Sequence, residues 1–184
     1  MKRRSYLIIV LSLFLFGCGP VNVEQPHKYS LSGIANKKLA KYSSRYTLLV
    51  STPRSASGYE QSAMVYIKKP YQLDSFVNNE WVDSPANMLS SVITQSLQNS
   101  GYFRAVVQEP YTSSTKYRLN TTVLELKQNF LKKPSEVSLT IKADLIDIKR
   151  DVVIASHRFH ETRKTTADNP YAGVIAANLA TKAL

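Results

Sequence analysis

The sequence predicts an α+β domain: a mostly antiparallel sheet with two main helices packed on one of its faces. Long stretches of the second half alternate apolar and polar residues with the period of a strand. Two further segments carry apolar residues at helical spacing, and each follows a capping residue and a proline, at Ser84-Pro85 and Asn169-Pro170. Runs of strands separate the two helices, an order typical of helices laid on a largely antiparallel sheet.

The N-terminal segment has the pattern of a secretory signal peptide. Residues 2–4 are basic, and residues 6–16 form an almost uninterrupted apolar run that is too short to span a bilayer. Leu15-Phe16-Gly17-Cys18 then resembles the bacterial lipobox, so we expect cleavage between Gly17 and Cys18 and lipidation of Cys18. The alternative is an ordinary signal peptide with an incidental thiol. Cys18 is the only cysteine, which excludes an internal disulfide and a cysteine-based metal site.

These features divide the chain into three parts. Residues 1–17 are the signal peptide, residues 18–27 are the lipidated N-terminus and a tether, and residues 28–184 form one domain. The formal charge of +11 includes three positive charges in the signal peptide, so the mature chain carries +8. Such a surface suits anionic lipid headgroups or an acidic protein. No zinc-finger or RNP-type motif is present, and nucleic acid is not expected as a partner.

The first half of the domain is predicted to contain short strands and one long loop. Aromatic and β-branched residues predict the strands, while Pro53 and Pro70 mark a strand end and a turn. The loop at residues 51–62 is rich in Ser, Pro and Gly, and its length suggests a working role or simple mobility. A weak helical turn is expected around residues 38–42. The expected strands are residues 28–31, 46–50, 63–67 and 71–77.

The second half contains both helices and the longest strands. The first helix begins at Pro85 and ends before Gly101, and its apolar face comprises Met88, Leu89, Val92, Ile93 and Leu97. The alternation within residues 117–126 changes phase at Leu124, which predicts a β-bulge. The second helix begins at Pro170. The expected strands are residues 103–107, 117–126, 137–145 and 152–161.

No residue pattern is typical of catalysis, metal binding or a cofactor. His157 and His160 lie three apart on a predicted strand, so their side chains face opposite sides and cannot share one ion. The sequence lacks a Gly-x-Ser-x-Gly elbow, a P-loop and a dinucleotide-binding fingerprint. We therefore expect no catalytic residue, no metal and no cofactor.

Two segments are the candidate partner surface. The loop at residues 51–62 carries Tyr59, and residues 71–81 carry Tyr71, Phe76 and Trp81. Aromatic anchors dominate many protein interfaces, and loops on a rigid scaffold commonly carry function. The alternative is that Phe76 and Trp81 pack beneath the first helix.

Several segments resemble the ABC-type transport auxiliary lipoprotein family. The resemblance covers residues from about 29 to 184, with the lipobox in the position that the family gives it. The most specific part surrounds Tyr66, Trp81 and Pro85. The other matching segments are residues 70–76, 81–89 and 101–107, then Phe130 with Pro134-Ser135, and Pro170-Tyr171-Ala172-Gly173-Val174.

The resemblance implies a non-enzymatic periplasmic lipoprotein that accompanies an ABC permease and ATPase together with an MCE-domain substrate-binding protein. Such systems move lipids between membranes. Gly19 follows Cys18 where aspartate would mark inner-membrane retention in enteric bacteria, so the outer membrane is the expected location. A homo-oligomer stays compatible with the sequence. The alternative function is a free-standing periplasmic lipid or solute binder, which would need an apolar pocket of several hundred Å³; a hydrolase is less favoured still.

Overall fold

The computed structural model describes residues 25–38 and 44–184, which form an α+β domain as predicted. The signal peptide, Gly17, Cys18 and most of the helical turn expected at residues 38–42 lie outside the described residues. The elements in chain order are β1 (His27–Tyr29), β2 (Ser44–Val50), β3 (Arg54–Ser55), β4 (Ala63–Lys69), β5 (Gln72–Trp81), α1 (Pro85–Asn99), β6 (Phe103–Gln108), β7 (Tyr117–Asn129), β8 (Glu136–Asp147), β9 (Val152–Lys164) and α2 (Pro170–Ala183).

The long strand β7 organises the sheet. On one edge it pairs with β8, which in turn pairs with β9. On its other edge it receives β2, β3 and β4 at successive levels. β6 lies outside β2, while β5 and then β1 lie outside β4. The start of β7 therefore lies beside β2 and the end of β8, and its end lies beside the end of β4.

The sheet is mixed rather than mostly antiparallel. Among the described strands, five of the eight pairings are parallel, although the two longest ladders, β7–β8 and β8–β9, are antiparallel. Alternation along a strand reports which face is buried and carries no information about the direction of its neighbour. Parallel neighbours need a long crossover, and here α1 lies in the connection that leads from β4 to β7.

Both helices begin with the caps that the sequence predicts. The Ser84 hydroxyl accepts a hydrogen bond from the Asn87 N–H (3.3 Å), and the Asn169 side chain accepts one from the Ala172 N–H (2.8 Å). Each bond satisfies one of the N–H groups left free in a first helical turn. Gly101 follows α1 with φ +66°, the left-handed conformation expected there.

One core cluster joins the two helices to β7 and β8. Its members include Leu89 of α1, Ala177 of α2, Leu126 of β7 and Leu139 of β8. A second cluster around Leu48 connects β2 with β6. This shared cluster does not by itself show that both helices lie on the same face of the sheet, which stays a prediction.

The predicted bulge at Leu124 is confirmed. Val123 pairs with Ile141, whereas Glu125 pairs with Thr140, so Leu124 is the additional residue in β7. Val123 and Leu126 would face opposite sides of a regular strand, since their separation is odd. The additional residue turns both into the core, where each is buried.

A buried polar junction fixes α2 against the end of β7. Gln128 donates to the Ser135 hydroxyl (2.9 Å) and to the Asn169 carbonyl (3.2 Å), and Ser135 also contacts the Thr165 hydroxyl (2.8 Å). A Cβ on Gly173 would collide with the Gln128 side-chain amide, so a larger residue there would displace that amide from its hydrogen bonds. Two of the segments that carry the family resemblance therefore meet at this junction.

Candidate functional site

The structure separates the four predicted surface residues. Tyr59 and Trp81 are buried, Phe76 is half-buried, and Tyr71 is fully exposed. Because a partner surface must be exposed to solvent, the burial of Tyr59 and Trp81 excludes these two residues from it. The remaining two lie on the β4–β5 hairpin.

Tyr59 belongs to the fold because the loop that carries it is attached to the sheet. Within that loop β3 pairs with β7, and the Ala56 N–H donates to the Val123 carbonyl (2.7 Å). Only 8% of Tyr59 is exposed. Burial, with a smaller contribution from the negative charge of Glu125, raises the pKa of Tyr59 to about 12. The composition and length of the loop suggested a working role or simple mobility, and its pairing with β7 could not be predicted from them.

Trp81 ends β5 and lies beneath the first helix, as in the alternative interpretation of this residue. It is 4% exposed and belongs to the same core cluster as Met64 and Leu89. Its backbone N–H donates to the Ser62 carbonyl (2.8 Å). Trp81 therefore fixes the end of the hairpin to the helix layer.

Phe76 is part of an aromatic cluster that sequence reasoning missed. Its ring centroid lies 4.5 Å from that of Tyr66 and 6.2 Å from that of Phe130, and the Tyr66–Phe130 distance is 5.8 Å. The Lys68 Nζ lies 4.9 Å from the Tyr66 ring and 5.5 Å from the Phe130 ring. Such cation–π contacts orient the ammonium group. Tyr66 and Phe130 both belong to segments that carry the family resemblance, but the sequence did not show that the pairing of β4 with β7 brings them together.

Tyr71 occupies the turn between β4 and β5. Lys69 pairs with Gln72, which leaves Pro70 and Tyr71 as a two-residue loop. Tyr71 has φ +65°, and its relative exposure is 106%. Proline followed by a residue with positive φ is typical of a type II turn, where the second position normally holds glycine or asparagine. A tyrosine there costs about 1–2 kcal/mol of backbone strain.

Two further apolar side chains are exposed on β5. Leu73 and Val77 lie on the face of the strand opposite to Phe76, because successive side chains of a strand alternate between its two faces. Val77 is 92% exposed, and it lies in an irregular stretch where β5 contains more residues than the facing part of β4. We call Tyr71, Leu73 and Val77 the hairpin surface.

Four lysines lie at the same end of the sheet as the hairpin surface. Lys68 and Lys69 precede the turn, and the Phe130 N–H donates to the Ile67 carbonyl (2.9 Å), which brings the following turn with Lys132 and Lys133 to the same end of the sheet. In the part of the chain that the structure describes, none of these lysines forms an ion pair with a carboxylate. The surroundings are therefore basic and suit an acidic rim on a partner.

The interior of the domain holds little free space next to this site. An apolar cavity between β5, β7 and α2, lined in part by Phe76, Trp81 and Ala177, has a volume of about 10 Å³. That volume is about what one water molecule needs, whereas small-molecule pockets are typically about 300–1,000 Å³.

The two histidines on β9 make separate contacts. The His160 ring nitrogens lie 2.8 Å from the Thr140 hydroxyl and 3.1 Å from the Thr162 hydroxyl, while the His157 ring packs edge-on against Phe159. Residues 25–38 and 44–184 contain no group of three or more metal-binding side chains. In the same ranges, no helix is both long enough and apolar enough to cross a membrane.

These observations define an α+β scaffold that presents an exposed apolar hairpin in basic surroundings. The chain belongs to the family of ABC-type transport auxiliary lipoprotein components, whose family model matches residues 29–184. The family is one of transport auxiliary components, and its lipoprotein character supports a membrane-anchored periplasmic location. A search of curated proteins finds no matching relative.

Solved structures share the fold. A crystal structure of a Xanthomonas campestris protein aligns with a TM-score of 0.76 and 18% identity over 85% of this chain and 88% of that one. A second, described only as an uncharacterized protein, aligns with a TM-score of 0.67 and 19% identity over 87% of this chain and 94% of that one. At this level of identity the comparison establishes the fold alone.

Proposed function

We propose that the protein is a lipid-anchored auxiliary subunit that docks the MCE-domain substrate-binding protein of an ABC-type lipid-transport system. The permease and ATPase of that system complete the assembly. The hairpin surface is the docking site. Family membership supports the association with an ABC transporter, and the exposed conformation of Tyr71 carries the choice of surface.

Tyr71 combines two features that folding alone does not favour. Its backbone adopts a conformation that glycine or asparagine would adopt at lower cost, and its ring makes no use of the core. Exposed aromatic side chains of this kind are frequent energetic centres of protein interfaces. Leu73 and Val77 extend the apolar area, and the lysines at this end of the sheet add positive charge nearby.

Lipidation of Cys18 anchors the subunit in this proposal, on the periplasmic side of the outer membrane. Nine residue steps separate Cys18 from His27, the first residue of β1. At about 3.3–3.6 Å per residue they span roughly 30 Å at most, so the domain stays close to the membrane surface. Gly19 stands where aspartate would mark inner-membrane retention in enteric bacteria, which supports a location in the outer membrane.

The free-standing binder is the rival hypothesis. It requires an apolar pocket of several hundred Å³, whereas the core cavity beside Phe76 and Trp81 measures about 10 Å³. The contrast between a filled core and an exposed apolar hairpin favours docking.

The test is affinity capture of the lipidated protein from its own membranes, with partners identified by mass spectrometry. We expect an MCE-domain protein among them. Tyr71→Ala should weaken its capture by about 1–3 kcal/mol, as loss of an interface anchor does. The melting temperature should stay unchanged, because the side chain contacts solvent.

Tyr111→Ala is the matched control. Tyr111 is also an exposed tyrosine, and it lies in the connection from β6 to β7, away from the hairpin. Capture at full strength by a Tyr71→Ala variant, or equal losses in both variants, would contradict the proposed surface.

A further inference from the structure

An open groove lies at the end of the sheet opposite to the hairpin surface. Its volume is about 610 Å³, and it is formed where β2 begins, where β7 begins and where β8 turns into β9. β7 has 13 residues, so about 40 Å separate its two ends. The groove is therefore a second region, distinct from the proposed docking site.

Four cationic side chains line the groove. They are Arg45, Lys116, Lys149 and Arg150. The one acidic residue of the lining, Asp147, is buried, and its Oδ1 accepts a hydrogen bond from the backbone N–H of Arg150 (3.1 Å) within the turn. Within residues 25–38 and 44–184, none of the four cations forms an ion pair with a carboxylate. The groove thus carries a net positive charge.

Backbone contacts hold the segments that supply these cations. The Ile148 N–H donates to the Lys116 carbonyl (3.0 Å), which fixes the β8–β9 turn to the start of β7. Tyr117 pairs with Leu48 on one side and with Asp147 on the other. The spacing of the charges is therefore set by the sheet itself.

Two tyrosines orient the cations within the groove. The Tyr46 and Tyr117 rings pack edge-on with centroids 5.5 Å apart, and the Lys116 Nζ lies 4.1 Å from the first and 5.0 Å from the second. Arg45 donates a hydrogen bond to the Tyr46 hydroxyl (3.0 Å). That bond, with a smaller contribution from Lys116, lowers the pKa of Tyr46, because nearby positive charge stabilises the ionised hydroxyl.

We propose that this groove binds a phosphate group. Guanidinium and ammonium groups form strong charge-assisted hydrogen bonds with phosphate oxygens, and Arg45 and Arg150 can each offer two parallel donors. Thr47, Ser114 and Thr115, which carry hydroxyl groups, also line the groove. The volume suits a small ligand, and the phosphate is carried either by a phospholipid headgroup or by a soluble compound. This site goes beyond the proposed docking function and does not depend on it.

The experiment titrates the mature lipidated protein, held in micelles of a nonionic detergent, by calorimetry. The probes are inorganic phosphate, glycerophosphoglycerol, which is the deacylated form of an anionic phospholipid, and zwitterionic glycerophosphocholine. Tighter binding of glycerophosphoglycerol would assign the groove to lipid headgroups, and tighter binding of inorganic phosphate would assign it to soluble phosphates. Either result supports a phosphate site. Glycerophosphocholine should bind more weakly than glycerophosphoglycerol, because its choline group offsets the charge of the phosphate. Binding of neither anionic probe would overturn the proposal.

Charge-removing variants locate the site. Lys116→Gln with Arg150→Gln should weaken binding of the tighter probe about tenfold or more, as the loss of two charge-assisted contacts does. Lys132→Gln with Lys133→Gln removes the same charge at the other end of β7 and should change binding less than about twofold. Lys116→Arg with Arg150→Lys keeps the charge and should weaken binding less than the Gln pair at the same positions, which separates loss of charge from loss of folding. Equal weakening by both Gln pairs would overturn the assignment to the groove.

Discussion

Truncation of Leu89 to alanine tests whether the predicted face of α1 builds the core. Leu89 is 2% exposed, so the change removes three buried carbon atoms. At about 0.8 kcal/mol per buried carbon group the transfer free energy is roughly 2.4 kcal/mol. Because the site lies in the main core cluster, the residual cavity raises the expected loss to about 3–5 kcal/mol. For a domain of this size that loss lowers the melting temperature by roughly 6–20 °C.

Urea unfolding of Leu89→Ala, followed by circular dichroism, measures the loss as a shift of the midpoint at constant m-value. Leu179→Ala is the matched control, since Leu179 lies on α2 and is 53% exposed. Its loss should stay under about 1 kcal/mol. Ile93→Ala should fall between the two because Ile93 is half-buried between both core clusters. A loss at Leu89 below about 0.5 kcal/mol, or one no larger than at Leu179, would refute the assignment of this face to the core.

Three further predictions concern the anchor and the buried tyrosine. Cys18→Ser should move the protein to the soluble or unprocessed fraction, because the acyl chains that hold it contribute about 0.8 kcal/mol per buried CH₂; normal processing with unchanged membrane fractionation would contradict lipidation. Gly19→Asp should shift the protein from the outer to the inner membrane in a density gradient, and a wild type that already bands with inner membrane would contradict the proposed location. Between pH 10 and 12 the unfolded chain releases a proton that folded Tyr59 retains, so stability should fall as the pH rises through this window. Tyr59→Phe should make that fall smaller in alkaline urea titrations, and an identical fall would contradict the raised pKa.

Local chemistry explains what the sequence predicted well. The starts of α1 and α2 follow from a capping side chain and a proline, which act within a few residues of the helix end. The bulge at Leu124 follows from a change of phase within one strand. Such features depend on neighbours along the chain, and a single sequence contains them.

Contacts between distant segments explain what was missed. The parallel pairings of β7 with β2, β3 and β4 join residues that are far apart in sequence, and strand periodicity does not report them. The same pairings attach the loop that carries Tyr59 to the sheet, where Tyr59 is buried, and bring Tyr66 beside Phe130.

The sequence identified only part of the candidate surface, because the exposure of each residue also depends on contacts between distant segments. The sequence placed the turn at Lys69 and Pro70 and assigned Tyr71 to the following strand, whereas the structure places Tyr71 within the turn, fully exposed and with a positive φ. Trp81 stood next to a helix start, and its burial depends on the packing of α1 over β5. The basic groove gathers Arg45, Lys116 and Arg150 from three separate segments, so scattered charges in the sequence gave no indication of it.

The central claim is that the hairpin surface contacts the MCE-domain protein, and photo-crosslinking in intact cells tests it most directly. A photoreactive phenylalanine derivative would replace Tyr71 in one strain and Tyr111 in another, with crosslinked partners identified by mass spectrometry. The proposal predicts a crosslink from position 71 to the MCE-domain protein and none from position 111. The absence of that crosslink at position 71, together with its presence at position 111, would contradict the account.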